Sequence, residues 1–398
     1  MDVLGWLIFL VCLLASVMLH EAGHFFTAKR FGMKCPRFFV GFGPTLWSVQ
    51  VGETEYGIKA LPVGGFVKIE GMTSLDEVEE WDEPRSFRRA AGWKRILVLA
   101  AGSIMHWLTA AVLIFGLALF IGVANDNVTQ LGTVATCVPA NEAALDNPNG
   151  TVCTSADAKS PAAVAGLKVN DTVTSFDGTP VSNWTELASA ITKVKPGAPV
   201  SLTVVRDGKP LTLHTKLAEV PGHGSFFGIA PATVYQPQGV LGSIKYVGTG
   251  FNETVTGSFD ALAQLPSAIP SLFSPDRAST SAGNLTSVVG AGRDVGEAVA
   301  SPAGWQAKVS FILLLIASLN IFVGIFNMLP LLPMDGGHVA VVLWERTKAR
   351  FFRLMGRPDP GPADYRKLIP LSFSIFLVLV AFGVMLMLAD IINPVSIG

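Results

Sequence analysis

The sequence predicts a polytopic α-helical membrane protein with four transmembrane helices and a separate extramembrane domain. Half of its 398 residues are hydrophobic and only 15% are charged, whereas ordinary soluble domains carry about a quarter charged residues. Four apolar segments are long enough to span a hydrocarbon core of roughly 30 Å, which takes about 20 helical residues. They run approximately over residues 3–26, 96–123, 309–334 and 368–392.

The charge balance excludes one class of partner. The chain has 29 basic and 30 acidic residues, which leaves a formal net charge of -1. Because no basic field is present to attract phosphates, we expect no nucleic-acid partner. The expected surroundings are instead the lipid bilayer.

Basic residues near the ends of the spans predict the orientation of the chain. Lys and Arg cluster in the loops after the first and third spans and are missing from the tail after Ile392. Because positive charge is retained on the cytoplasmic side, both termini are expected to be extracytoplasmic. The expected layout is a first span at 1–28, a cytoplasmic-side loop and β-hairpin region at 29–95, a second span at 96–123, an extracytoplasmic domain at 124–220, an extracytoplasmic membrane-surface segment at 221–306, a third span at 307–338, a cytoplasmic loop at 339–367 and a fourth span at 368–392.

Short strand patterns fill the regions outside the spans. Residues 38–71 are typical of hairpins, because short apolar runs alternate with glycine. In the extracytoplasmic domain the pattern predicts strands at 172–176, 200–206 and 210–215 around a helix at 184–193. Weak helical periodicity at 240–259 and 261–273 predicts surface helices at the outer membrane boundary.

Two cysteines lie in the predicted extracytoplasmic segment. Cys137 and Cys153 are on the side where disulfides persist. A bond between them would close a short loop, worth about 3 kcal/mol in the chain-entropy model. Two free thiols are the alternative.

The first span contains the residues His20-Glu21-Ala22-Gly23-His24. Helical positions four apart differ by about 40° around the axis, so both imidazoles project from one face and can grip one zinc ion. Glu21 lies outside that row but can reach a water held by the metal, as a general base does in this motif. A span end that has drifted into the wet interface is the alternative, but three ionisable groups within a span are rarely retained for packing.

A catalytic zinc site needs a third protein ligand, commonly a carboxylate beside two histidines. Asp335 follows the apolar run of the third span, after Pro330 and Pro333, which should interrupt the helix, and before Gly336-Gly337. The first and third spans both run inward, so Asp335 and His20 are expected at similar depth near the cytoplasmic leaflet. The competing carboxylate, Asp390, lies near the outer end of the fourth span.

The sequence leaves the roles of three other polar residues in or near the spans open. The Asn327 amide could bind a substrate carbonyl or stabilise an oxyanion, or it could satisfy the backbone broken at Pro330. His338 could be a spare ligand or a residue of the helix start. His106 is a further intramembrane ionisable group whose role the sequence does not decide.

The motif at His20 to His24 and the segment from Asn327 to Asp335 and His338 resemble the paired signatures of site-2 proteases, which are zinc intramembrane metalloproteases. Residues 160–167 with 168–171 and 177–178 resemble a PDZ domain, as in the single-PDZ actinobacterial branch of that family. The resemblance implies an extracytoplasmic PDZ (α+β) domain and a cytoplasmic-side, membrane-associated β-hairpin.

The resemblance also implies a function. It makes His20, His24 and Asp335 zinc ligands, Glu21 the catalytic base and Asn327 a substrate-binding residue. Gly64, Gly65 and Phe66 resemble the hairpin that holds the substrate as an added strand. The implied substrate is a single-span membrane protein, such as an anti-sigma factor already trimmed outside, cut in regulated intramembrane proteolysis. The second span departs from the pattern, with Ser103 and His106 where many relatives carry proline and asparagine.

Two other functions fit parts of the sequence. A noncatalytic membrane receptor would use its PDZ domain to bind extracytoplasmic peptide ends. A metal carrier would need ligands at several depths, and the sequence contains one visible cluster. Zinc content and the effect of a Glu21→Gln substitution separate these functions.

Overall fold

The computed structural model describes residues 3–72, 76–141, 153, 157–358, 361 and 363–395. The chain forms two compact units, and helices and strands are numbered here along the chain. The first unit comprises Met1–Leu119 and Gly239–Ile397, and the second comprises Phe120–Gln238.

The first unit is mainly helical. Four helical stretches within the described residues are long and apolar enough to cross a membrane: Val3–Arg30, Gly92–Ile121, Trp305–Asn327 and Arg366–Ile392. The prediction of four apolar helices is confirmed. The helices of this unit are α1 (Val3–Arg30), α2 (Gly92–Gly116), α5 (Val240–Ala268), α6 (Val288–Ala300), α7 (Trp305–Asn327), α8 (Asp335–Leu354) and α9 (Tyr365–Ile392).

The third apolar segment ends earlier than its predicted limits of 307–338. Helix α7 stops at Asn327, and Asp335 begins the separate helix α8. Pro330 and Pro333 lack the N–H that a continuing helix needs. Short-range bonds close the connection instead, including one from the Leu331 N–H to the Leu329 carbonyl at 2.7 Å. The third predicted span is therefore a spanning helix followed by a turn and the start of another helix.

The segment predicted as two surface helices is one helix, α5. Its apolar residues recur at helical spacing and pack on a buried cluster formed by α2 and α7. Those packed residues are Tyr246, Val247, Phe251 and Val255. One continuous apolar stripe thus holds α5 against two of the apolar helices.

A β-hairpin lies between α1 and α2, with strands β1 (Arg37–Val51) and β2 (Thr54–Lys68). The register pairs Phe39 with both Gly57 and Phe66. The first half of β1 is therefore flanked on both sides by the two halves of β2. Residues 65–68 form an outer edge of the resulting small sheet.

The second unit contains a four-stranded sheet in the order β6-β5-β7-β8. Its elements are β3 (Val123–Asn125), β4 (Leu131–Val134), α3 (Pro161–Ala165), β5 (Thr172–Phe176), β6 (Thr179–Pro180), α4 (Trp184–Lys193), β7 (Pro199–Arg206), β8 (Lys209–Lys216), β9 (Ala218–Val220), β10 (Gly224–Phe226), β11 (Ile229–Pro231) and β12 (Val234–Gln236). Elements β5, α4, β7 and β8 match the predicted segments to within two residues.

This unit extends past the predicted domain limit at residue 220. Strand β11 pairs with β4, and β12 pairs with β3. These pairings return the chain as far as Gln236 to the start of the unit. In the same unit Cys137 and Cys153 form a disulfide, with their Cα atoms 5.8 Å apart.

Candidate metal centre

Three potential metal ligands converge in the first unit. His20 and His24 lie one turn apart on α1 and are buried, and Asp335 is the first residue of α8. One ligand atom of each lies within 4.8 Å of the other two. The turn after α7 is what brings the carboxylate to the two imidazoles.

The spacing of the ligand atoms fits a zinc ion. Nε2 of His20 and Nε2 of His24 are 3.1 Å apart, and Oδ2 of Asp335 lies 3.3 Å from each. Ligands at 2.0–2.1 Å from a tetrahedral zinc are separated by about 3.4 Å. Two imidazoles and a carboxylate are also a donor set that zinc accepts with a fourth position open.

A backbone carbonyl fixes the His24 ring. The His24 Nδ1–H donates to the Val98 carbonyl of α2 at 2.7 Å. Since a carbonyl only accepts, the proton lies on Nδ1 and the lone pair lies on Nε2, which faces the cluster. Such outer partners orient metal-binding histidines and set their tautomer.

Helix α2 approaches the two rings closely at Gly102. A Cβ placed on Gly102 would collide with Cε1 of His20 and Nε2 of His24. Any side chain at this position would enter the space between the ligands. Glycine here therefore permits the close contact of α1 and α2 at the centre.

A directional hydrogen-bond chain runs beside the cluster. Nδ2 of Asn320 donates to the Ile316 carbonyl at 2.8 Å and to Oγ of Ser16 at 3.0 Å. The amide oxygen therefore faces His106, whose Nδ1–H donates to it at 2.8 Å. The His106 ring in turn lies 4.8 Å, centroid to centroid, from that of His20. These three buried polar groups link α1, α2 and α7 next to the candidate ligands.

Glu21 is held by the β-hairpin. The Val67 N–H donates to Oε2 of Glu21 at 3.0 Å. Gly65 lies close to α1, because a Cβ there would collide with the Met18 sulfur. The outer edge of β2 therefore runs along the part of α1 that carries His20, Glu21 and His24.

The three hairpin residues suggested by the resemblance lie on this edge strand. Gly64 has a φ of 124°, which glycine adopts readily. Gly65 pairs with Val40, and Phe66 pairs with Phe39, whose ring it stacks on at 5.7 Å. The aromatic stack fixes the strand in its register.

The other candidate residues lie on α7, α8 and α9. Asn327 is the last residue of α7 and is half-buried, and within the described residues its amide group has no hydrogen-bond partner. His338 lies in the first turn of α8. Asp390 pairs with Arg277 at 2.7 Å, both side chains being almost fully buried, so its role is structural.

Sequence reasoning missed the supporting groups rather than the ligands. The Asn320, Ser16 and Gly102 contributions depend on which helix faces meet, and the motifs do not encode this. One signal was present: Ser16 lies four residues before His20 and therefore on the same helix face.

Comparison with known proteins gives consistent results. Residues 8–355 match Peptidase family M50. The zinc metalloprotease Rip1 of Mycobacterium bovis is 33% identical over 425 residues, which cover 100% of this chain and 99% of that protein. Rip1 of Mycolicibacterium smegmatis is 34% identical over 417 residues, covering 99% and 98%.

Among solved structures, the PDZ domain of an SdrC-like protein from Listeria monocytogenes is similar to a part of the chain. It is 21% identical, with a TM-score of 0.18, and the match covers 28% of this chain and 92% of that chain. This structural likeness is too weak to assign a fold.

Proposed function

Because the chain belongs to Peptidase family M50, we propose that His20, His24 and Asp335 hold its zinc and that Glu21 is the general base. The protein is a zinc metalloprotease of the site-2 type. The observation that carries the assignment of residues is the triangle of ligand atoms with sides of 3.1, 3.3 and 3.3 Å. The triangle joins two residues of the apolar helix α1 to the first residue of α8.

Glu21 and His24 have different roles in the proposed peptide hydrolysis. When bound, zinc polarises the scissile carbonyl and makes water a stronger acid. Oε2 of Glu21 is occupied by the Val67 N–H, so Oε1 takes the proton of the attacking water. The same carboxyl group then gives this proton to the leaving amine. His24 keeps its lone pair toward the centre through its bond to Val98.

The edge of β2 is the proposed binding site for an unwound substrate. Phe38 pairs with Val67, yet the Val67 N–H points away from β1 to Glu21. Backbone groups alternate in direction along a strand, so those of Gly65 point to the same side. A substrate segment added as a strand along Gly64, Gly65 and Phe66 would place a peptide bond beside Glu21.

Asn327 is the proposed polar contact for the substrate carbonyl. Its amide has no partner among the described residues. The broken helix end is satisfied without it, since the Met328 N–H donates to the Ile325 carbonyl at 3.0 Å. A free, half-buried amide at the end of α7 is suited to hold a developing oxyanion.

The proposed setting is a bacterial cell membrane with both termini outside. Basic residues near α1, α2 and α8 support a position of the metal centre toward the cytoplasmic leaflet. The second unit, with its disulfide, then lies on the oxidising outer side as a PDZ domain. The proposed substrate is a single-span membrane protein, such as an anti-sigma factor after a first extracytoplasmic cut.

The test compares the full-length protein with Glu21→Gln and with the matched control Glu70→Gln in one bilayer. The readouts are cleavage of a single-span substrate and zinc content. We expect Glu21→Gln to abolish cleavage while retaining zinc, and Glu70→Gln to cleave as the parent does. Cleavage by Glu21→Gln would remove the proposed base. A parent protein that binds peptides but neither holds stoichiometric zinc nor cleaves would be a receptor.

A further inference from the structure

Helix α8 has an exposed apolar stripe. Leu343, Trp344, Phe351 and Leu354 are 50%, 64%, 59% and 79% exposed. At 100° per residue these four side chains fall within a sector about 100° wide. They lie on one face of the helix, with the exposed Thr347 between the two pairs, and we call this face the α8 apolar face.

Basic residues border the α8 apolar face on both sides. By the same helical geometry, Arg350 lies about 20° beyond one border and Lys348 about 40° beyond the other. Val339 and Val342 on the opposite side are buried in a cluster with residues of α1 and α2. Apolar residues flanked by cations are the pattern of a helix that lies in a membrane interface.

Two features of the structure indicate the depth of α8 in the membrane. It begins a short turn after the end of the apolar helix α7. Its middle is tied to the first turn of α2 by the ion pair of Glu345 with Arg95, at 3.0 Å. Since α2 and α7 both have an end here, α8 lies where the hydrocarbon core gives way to headgroups.

We propose that the α8 apolar face inserts into the adjacent leaflet and that Arg350 and Lys348 bind the phosphates of anionic phospholipids. The tryptophan at 344 is the residue type enriched at this depth. The flanking cations complement anionic headgroups and reach them from stems that lie along the apolar surface. The occupant of this face is thus the lipid leaflet.

The position of α8 links lipid binding to the metal centre. Its first residue is Asp335, and Gly336 lies against the backbone of the preceding turn. A helix anchored along its length by lipid holds its first carboxylate in place. This consequence rests on the proposed function, whereas the insertion itself does not.

The first experiment measures depth in full-length protein in phosphatidylcholine nanodiscs containing phosphatidylglycerol. The free cysteines of the described residues, Cys12 and Cys35, are replaced by alanine, and a nitroxide is attached at Trp344→Cys. Arg353→Cys, on the exposed polar side, is the matched control. Molecular oxygen concentrates in the lipid, whereas a nickel chelate stays in the water. We therefore expect oxygen to relax the spin label at 344 more strongly than the nickel chelate does, and the nickel chelate to relax the label at 353 more strongly than oxygen does. Equal aqueous exposure, or spin coupling between two copies at 344, would overturn the proposal.

The second experiment tests the lipid class. The double variant Lys348→Gln/Arg350→Gln is compared with Lys195→Gln/Lys209→Gln, which removes the same charge from exposed positions of the second unit. Native mass spectrometry counts the phosphatidylglycerol retained from mixed nanodiscs. We expect enrichment to fall about fivefold for each α8 cation removed, from roughly 1 kcal/mol per residue near an anionic surface, and to persist in the control.

Unchanged enrichment in the α8 double variant would overturn the headgroup assignment. The ratio of cleavage rates with and without phosphatidylglycerol is measured in parallel. Depth and lipid retention require no proteolysis, so a failure of this proposal is distinct from a failure of the proposed function.

Discussion

The backbone N–H of Val67 donates a 3.0 Å hydrogen bond to Oε2 of Glu21. This bond joins the edge of a β-strand to the carboxylate next to the histidine pair proposed to bind the metal. The strand edge proposed to receive the substrate therefore also orients the proposed base. The edge of β2 would therefore both position the scissile peptide bond and orient the Glu21 carboxylate that accepts the proton.

A Val67→Pro substitution should remove this donor and leave the strand paired. Proline is tolerated at a strand edge where the N–H does not serve the ladder. A hydrogen bond to a charged group contributes about 1.5–3 kcal/mol, so we expect kcat/KM to fall about 10- to 100-fold with zinc content unchanged. Val67→Ala keeps the donor and should retain the parent rate. Equal losses in both variants would show that the valine side chain matters instead.

Gly102→Ala should disrupt the metal centre. Its Cβ would press on His20 and on Nε2 of His24, so we expect zinc affinity to fall at least about tenfold. The matched control is Gly116→Ala on the same helix, where a Cβ meets open space. Elemental analysis after dialysis against a chelator measures zinc, and circular dichroism checks the helices. Parent-like zinc retention in Gly102→Ala would contradict the close contact described here.

Asn320→Leu should destabilise the helical unit. The substitution leaves the buried Nδ1–H of His106 without its acceptor and deprives Ser16 of a donor. We expect a loss of about 1–2 kcal/mol in the free energy of unfolding, measured by titration with denaturing detergent. Among the described residues the Ser318 hydroxyl bonds only to the Leu315 carbonyl of its own helix, so Ser318→Ala should change stability little. A neutral Asn320→Leu would mean that the chain of hydrogen bonds contributes nothing.

Acid should destabilise the second unit through Asp171. The hydrogen-bonded Arg206 guanidinium lowers the pKa of this carboxyl below its usual 3.8, with two contacts of 2.7 Å. A depressed pKa stabilises the fold above the unfolded value, and this contribution disappears as the pH falls below about 4.

Hydrogen exchange of β5 and β7 in the full-length protein measures this effect. We expect protection to decrease between about pH 5 and pH 3. In Asp171→Asn, protection should be lower already at pH 7 and should depend less on pH over that interval. An identical acid response in both proteins would assign the transition to other groups.

The sequence predicts the helices, the strands and the histidine pair whose positions follow from the spacing of neighbouring residues. The i, i+4 spacing of His20 and His24 places two imidazoles on one face in any helix. Apolar runs predict α1, α2, α7 and α9 for the same reason. Strands β9 to β12 are only three residues each, too short for alternation to be detected, so the extent of the second unit to Gln238 was missed.

Contacts between distant segments could not be predicted. Nothing near Val67 indicates that its N–H faces Glu21, because the bond depends on how the hairpin packs against α1. The polar residues Asn320 and His106 stand out in their apolar helices, but only helix packing makes them partners. Proline predicted the break before Asp335, and the helix start expected around His338 lies at Asp335 itself.

Zinc X-ray absorption spectroscopy of the full-length protein, compared with Asp335→Ala, tests the metal centre most directly. For the parent we predict a shell of two imidazole nitrogens at about 2.0–2.1 Å together with carboxylate oxygen. Asp335→Ala should lose that oxygen and most of its zinc while keeping its helical content. A parent zinc shell without two histidines, or one unchanged in Asp335→Ala, would contradict the account.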